Sequence, residues 1–486
     1  MTWRGEYGRL FIGGEWAEPA TSTTLDIINP FSGELIAPVA AAMPADMDRA
    51  VAAARRAFDA GPWRRLDISA RIEVLERLSE LMGKHAEDFA ELITDEVGCP
   101  ISMSRGFQSV GAKMILDAFL DFAPAYPWQS LREAPSGRAL VVREPVGVVA
   151  AVIPWNVPLQ IALLKLSPAL LSGCAIVLKV DPKTPTNAYR LAELIVEAGL
   201  PAGVVNVVAA DPEASEYLVT HPDVDKVTFT GSSAVGRRVA SLCGSNLKRV
   251  TLELGGKSAA IVLDDADLGA VTESLRMGSF RNTGQICSLK SRVLVPRSLG
   301  TEFLEAFVSM VTSLPIGDPR DPDTHIGPLV SEVQRQRVEG HIESGKTEGA
   351  RLVVGGGRPP GHERGFFVEP TVFADVHPSM AIAQEEIFGP VISVITYDDE
   401  DEAVAIANDS RYGLNGSVFT SDPEHGLAVA RRVRTGTVEL NGSPAGFAAP
   451  LGGFKCSGIG REAGPEGFDA YVELQSIGLP PGFDVG

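Results

Sequence analysis

Apolar residues recur at helical spacing through residues 44–122, and then the pattern changes. Met47, Ala50, Val51, Ala54 and Phe58 form one helical stripe, and Ile72, Leu75, Leu78, Leu81 and Met82 form another. Residues 146–153 are apolar throughout, as expected of a strand buried on both faces. Residues 175–180, 204–208, 226–230 and 250–254 repeat this pattern with helical segments between them; Leu191, Leu194, Ile195 and Ala198 give one segment its apolar face. Such alternation predicts βαβ units and a doubly wound sheet. A second alternation follows, with strands at 390–396, 415–420 and 437–440 and helices at 400–407 and 423–432. The expectation is an α/β chain of two doubly wound lobes. Residues 123–145 fit neither lobe: three prolines precede a strand-like run at 138–143.

Length and composition narrow the class. The 486 residues suffice for two or three domains, and 45% hydrophobic with 22% charged residues is ordinary for a globular chain. The 50 Gly and 34 Pro are dispersed, so they punctuate many short elements. A net charge of −19 argues against nucleic-acid binding, which needs a basic surface. Five cysteines without a CxxC pair, and an N-terminal segment 1–16 lacking an apolar signal stretch, lead to the expectation of a cytoplasmic location. The longest apolar region, 158–180, is interrupted by Lys165, two prolines and Gly173. It divides into a buried helix and a strand, not a membrane span. Seven scattered histidines give no metal-ligand spacing, so no metal is expected.

Candidate chemistry collects where the predicted strands of the first lobe end, which is where a doubly wound sheet binds ligands. One strand runs into Pro154-Trp155-Asn156, one ends at Lys179, one runs into the turn from Gly231 and Ser232 to Gly236, and one ends at Glu253. The strand–turn–helix at 231–236 aims backbone N–H groups at a phosphate; an ordinary helix cap at Ser232 or Ser233 explains the same residues without a ligand. Cys287 closes the polar, Gly-containing segment 280–287. A free thiol has a pKa of about 8.5, so a nucleophilic cysteine requires an activating, low-pKa environment. Cys99, Cys174 and Cys243 read as small buried hydrophobes. Gly256-Lys257-Ser258 looks like the end of a phosphate-binding loop, but Thr251 stands where that motif requires Gly.

The segment 280–287 together with Leu252-Glu253-Leu254-Gly255-Gly256-Lys257 closely resembles the paired signatures of the NAD(P)-dependent aldehyde dehydrogenase superfamily, hydrolytic branch. The resemblance runs from Asn29-Pro30 to Gly460-Arg461-Glu462. It implies a discontinuous dinucleotide-binding domain (1–122 and 146–255), a catalytic domain (256–456), and an oligomerisation flap (123–145 with 466–486) in which the chain's last strand joins the hairpin. A homodimer or homotetramer is then expected. The implied cofactor contacts are Ile153, Trp155, Lys179, Gly231, Ser232, Gly236 and Leu254, with Glu386 and Phe388 from the Glu385-Glu386-Ile387-Phe388-Gly389-Pro390 signature. Many NAD-preferring members carry Glu three residues after the lysine, where this chain has Pro182. NAD is expected as cofactor, with NADP possible.

The implied mechanism is attack of the Cys287 thiolate on an aldehyde. The side-chain amide of Asn156 and the backbone N–H of Cys287 hold the oxyanion, and Glu253 activates water to hydrolyse the thioester. Glu462 matches a second carboxylate linked to proton movement; a surface ion pair beside Arg461 reads the same residue without a role. Phe107, Phe119, Phe122, Tyr126, Phe280, Ile286, Leu289, Phe447 and Leu451 suggest an apolar aldehyde tunnel with no cation. Two alternatives are an acylating, coenzyme A-dependent enzyme, which Glu253 argues against, and a silent scaffold, which would have lost Cys287 or Glu253.

Overall fold

The computed structural model describes residues 7–483, so Met1–Glu6 of the N-terminal segment and the last three residues of the expected flap lie outside it. Five parallel strands form the centre of the first sheet, in the order Arg249–Glu253, Lys226–Thr230, Val148–Val152, Ala175–Val180, Val205–Ala209. Short antiparallel strands close its edges, Gly458–Ile459 on one side and the Leu10–Ile12 and Glu15–Ala17 hairpin on the other. Chain order reverses between Val148–Val152 and Lys226–Thr230, so a crevice opens there beyond the carboxyl ends. All five residues of Val148–Val152 and all six of Ala175–Val180 are buried, which is why these strands read as unbroken apolar runs. Region 158–180 divides as expected into a helix, Pro158–Ser172, and a strand, Ala175–Val180. Among the described residues no helix is long and apolar enough to cross a membrane.

The second lobe is a seven-stranded sheet ordered Arg351–Val354, Thr371–Ala374, Val391–Tyr397, Lys290–Pro296, Ser258–Val262, Gly416–Phe419, Glu439–Leu440. All neighbours are parallel except the first pair. Its two middle strands, Ser258–Val262 and Lys290–Pro296, escaped the sequence reading. The second opens on Lys290 and Arg292, both buried, which masks its apolar character. Arg292 is satisfied by three carbonyls, donating to Lys257, Ile406 and Ala407 at 3.0, 2.9 and 2.9 Å. The predicted hairpin and C-terminal strand form a three-stranded antiparallel flap. Val472–Leu479 pairs along Gly137–Pro145, which pairs with Gln129–Ala134.

Candidate active site

Nine of the thirteen residues expected at the site line one cavity of about 150 Å³: Trp155, Asn156, Gly231, Ser232, Glu253, Leu254, Cys287, Glu386 and Phe388. A second cavity of about 580 Å³ shares Trp155, Gly231 and Ser232 with the first and adds Ile153 and Lys179. Only Gly236 and Glu462 line neither. Gly236 is a packing position, because a Cβ there would come within 2.5 Å of Leu254 Cδ2 where the Ser233–Ser245 helix meets the sheet. Ser232 caps that helix, its hydroxyl accepting from the Val235 N–H at 3.3 Å.

Two close backbone approaches join the lobes. A Cβ at Gly256 would lie 2.4 Å from the Cys287 carbonyl oxygen, and one at Gly255 would lie 2.2 Å from Glu386 Oε2. The Gly-Gly pair therefore lets the cysteine segment and the Glu386 carboxylate reach the end of the Arg249–Glu253 strand. Glu386 Oε1 also accepts from the Gly256 N–H at 3.0 Å. Before Cys287, Asn282, Thr283 and Gly284 are all left-handed, at φ 52°, 56° and 76°. Non-glycine residues hold that conformation only where their surroundings over-determine it. Here Asn282 Nδ2 donates to the Asn156 carbonyl at 3.0 Å, Asn156 Nδ2 donates to the Gln285 carbonyl at 2.9 Å, and Gln285 Oε1 accepts from the Val330 N–H at 3.0 Å. Asn156 is thereby held beside Cys287 with its second amide N–H uncommitted.

Phe388 is also left-handed, at φ 60°, and its ring meets Trp155 edge-on at 5.5 Å. Its loop is held by two cavity-lining residues the sequence did not reveal. Gln334 Nε2 donates to the Phe388 carbonyl at 2.8 Å, and Arg337 Nη2 to the Glu386 carbonyl at 2.9 Å. Both lie on the Glu332–Thr347 helix, whose pattern offers no sign of a site.

The electrostatics run against the expected low-pKa thiol. Burial and then the charges of Glu253 and Glu386 push Cys287 well above the ordinary thiol value, while the backbone N–H groups of Cys287 and Ser288 pull the other way. Glu253 is 4% exposed, and its Oε1 has no hydrogen-bond partner. Burial and then Glu462 raise Glu253 well above the carboxylate range, against Lys165. Glu386 is pushed up to about 6, mainly by burial. Cys287 and Glu253 are thus both held towards their neutral forms.

Glu462 is not the surface ion pair considered for it. It is 2% exposed, 2.7 Å from the fully buried Lys165 Nζ, and accepts from the Thr228 hydroxyl at 3.3 Å. This pair lies behind Glu253 and acts on it through charge. Removing one partner of such a buried pair typically costs about 3–5 kcal/mol.

In the larger cavity Lys179 ends a central strand and is 7% exposed, so it is no edge residue. The residue lining this cavity near it is Asp181, not Pro182. Glu216 and Arg238 line it too, bonded to each other at 2.6 and 3.1 Å. Of the expected tunnel residues, Phe107, Phe119, Phe122, Tyr126, Ile286, Leu289, Phe447 and Leu451 all belong to or pack against the first lobe's main core cluster. Phe280 does not join them; it lies in the second lobe's core, its ring tilted against Phe307 with centroids 6.2 Å apart. A cation is present after all, since the Arg281 guanidinium lies 4.1 Å over the Phe107 ring.

A family model described as "Aldehyde dehydrogenase family" matches residues 16–477. The geranial dehydrogenase of Castellaniella defragrans is 45% identical, over 98% of this chain and 99% of that protein. The mitochondrial aldehyde dehydrogenase of Equus caballus is 42% identical, over 97% and 95%. A Mycobacterium tuberculosis aldehyde dehydrogenase complexed with NAD+ superimposes with a TM-score of 0.97 at 47% identity, covering 99% of each chain. A mutant aldehyde dehydrogenase C from Pseudomonas syringae, holding NAD+ and octanal, superimposes at 0.94 with 41% identity, covering 97% and 96%.

Alkylation by iodoacetamide follows the Cys287 thiolate, so its rate should rise with pH with a midpoint above about 8.5. Glu253→Gln removes a carboxyl whose charge, once ionised, opposes thiolate formation, so the midpoint should move down. A wild-type midpoint below the free-thiol value, or no shift in the variant, would contradict the electrostatic assignment.

Proposed function

The chain belongs to the aldehyde dehydrogenase family, whose members oxidise aldehydes to carboxylic acids, and on that premise we propose that Cys287 is its nucleophile and Glu253 its general base, with NAD+ as oxidant. The observation that carries this reading is the shared cavity of Cys287, Glu253 and Asn156, with Glu253 Oε1 lacking any partner inside the chain. An orphaned, buried carboxyl oxygen facing a cavity awaits a proton donor from outside the protein, as a substrate water would be.

The two cavities suit a dinucleotide. Lys179 would hold the adenosine ribose, the start of the Ser233–Ser245 helix the pyrophosphate, Glu386 the nicotinamide ribose, and Phe388 with Trp155 the ring. Bound there, NAD+ supplies the hydride acceptor and a positively charged ring. The protein's part begins with the thiol. A base with a raised pKa takes the thiol proton more readily, so Glu253 promotes the attack on the aldehyde carbon. The uncommitted Asn156 amide N–H and the backbone N–H of Cys287 stabilise the oxyanion. After oxidation the acyl group is a thioester on Cys287, and Glu253 takes a proton from the water that cleaves it. Lys165 and Glu462 set the charge behind Glu253, and in this reading Glu462 would take its proton on.

The substrate class we propose is a hydrophobic aldehyde. Ile286 and Leu289, close to Cys287 in the chain, belong to the same apolar core as Phe107, Phe122, Phe447 and Leu451, and Arg281 over Phe107 adds one polar element. The proposed domains are a dinucleotide-binding unit (1–122 and 146–255), a catalytic unit (256–456) and a flap (123–145 with 466–486). Leu131, Leu474 and Ile477 on the flap are 43, 61 and 42% exposed, which favours a homo-oligomer that covers them.

Cys287→Ala should lower aldehyde turnover by more than about 10⁴-fold, while NADH affinity, followed by fluorescence titration, stays within a few-fold. Substantial turnover by this variant would remove Cys287 from the mechanism.

Cofactor choice should rest on Asp181, whose carboxylate would repel a 2′-phosphate. Titrations with NADH and NADPH should show Asp181→Ser narrowing the preference for NADH about tenfold, and Pro182→Glu changing it little. The opposite ranking would return the discriminating position to residue 182.

A further inference from the structure

We propose that a recessed cavity under the flap, away from the dinucleotide crevice, is a binding site for a small oxyanion, a phosphate or carboxylate of roughly diphosphate size. The cavity measures about 470 Å³ and is walled by the flap strands, the start of the Ile68–Lys84 helix and the end of the Pro158–Ser172 helix. Arg64, Arg71 and Arg143 all line it, with Glu144 as its one carboxylate. In a chain of net charge −19, three guanidiniums around one cavity are unexpected.

Arg71 carries the argument. It is 8% exposed, its Nε has no hydrogen-bond partner, and among the described residues no carboxylate lies within ion-pair distance of it. Asp67, whose charge acts on it, is engaged in capping the helix through the Ala70 N–H at 2.8 Å. The neighbouring Cys174 offers no counter-charge, since burial pushes its thiol up to about 11. A buried guanidinium without a partner is costly, so a partner from outside the chain is the physical expectation. The fold also makes room for it. Gly173 ends the Pro158–Ser172 helix at φ +92°, and a Cβ there would come within 2.5 Å of Arg71 Nη1.

Beside Arg71, the Ser172 hydroxyl is 2% exposed and likewise has no partner. Arg143 lies over the Tyr126 ring and donates to the Pro127 carbonyl at 2.5 Å; its Nε is buried and unpartnered. Arg64 lies over the Phe58 ring at 4.7 Å. Thus the floor presents unpaired donors and the rim adds positive charge. This recessed form suits a small free anion better than a segment of another chain.

The test is calorimetric titration of inorganic pyrophosphate into the full-length protein at fixed ionic strength, with the dinucleotide crevice saturated by NADH. One saturable event per chain is expected, weakened at least tenfold by Arg71→Met and several-fold by Arg64→Gln. Arg71→Met should melt no lower than the wild type in oxyanion-free buffer, because it removes an uncompensated buried charge. A purely structural Arg71 would give a lower melting temperature instead. If Arg71→Met does not fold, Arg64→Gln and Arg143→Gln carry the test, since both side chains reach solvent. Absence of a saturable event, or equal binding by the variants, overturns the proposal. So does dissociation of the assembly in Arg71→Met without pyrophosphate binding to the wild type, which would assign the oxyanion to a carboxylate of a second copy.

Discussion

The site depends on how closely two backbone segments approach at Gly255-Gly256. A Cβ at Gly256 would come within 2.4 Å of the Cys287 carbonyl oxygen, and one at Gly255 within 2.2 Å of the Glu386 carboxylate, so a side chain at either position would push that neighbour away. These close approaches place the thiol of the second lobe against the strand end of the first, which carries Glu253. The left-handed run Asn282–Gly284 then aims Cys287 into the cavity, and its bonds to Asn156 and Val330 keep it there. Preorganisation of this kind places the donors before the substrate arrives, where they act most strongly on developing charge.

Burial gives the same site its electrostatic character. Cys287 and Glu253 are both held towards their neutral forms, and Glu253 also responds to Glu462 and Lys165 behind it. A neutral thiol resists unwanted oxidation and alkylation. A carboxylate of raised basicity is a better proton acceptor near neutral pH than an ordinary one. Positive charge brought in beside the thiol would favour its thiolate, which would tie activation of the proposed nucleophile to binding of NAD+.

Much of this was legible in the sequence because buried parallel strands read as apolar runs, and polar residues at their ends stand out against them. Trp155, Asn156, Lys179, Gly231, Ser232 and Glu253 were found in this way, and each lines one of the two cavities. What failed to show has physical causes. The Lys290–Pro296 strand hides behind two buried charges that only tertiary partners satisfy, the Glu439 carboxylate for Lys290 and three carbonyls for Arg292. Gln334 and Arg337 act on backbone carbonyls of a distant loop, an interaction without periodicity. The resemblance points to position 182 as the ribose neighbour, whereas the turn brings Asp181 to the cavity. Phe280 was counted with the tunnel for its proximity to Cys287, yet its helix turns it into the other core. Glu462 was ambiguous in sequence, because its partner Lys165 sits on a remote helix.

The central claim is that an acyl group rests on Cys287 and leaves by water that Glu253 activates. Rapid mixing of Glu253→Gln with NAD+ and a hydrophobic aldehyde, followed by intact-protein mass spectrometry, tests it most directly. A burst of NADH is expected, then steady turnover slowed about 10²–10⁴-fold, with the acyl mass located on Cys287. Full turnover with no acyl-enzyme would contradict it and remove Glu253 from the hydrolytic step.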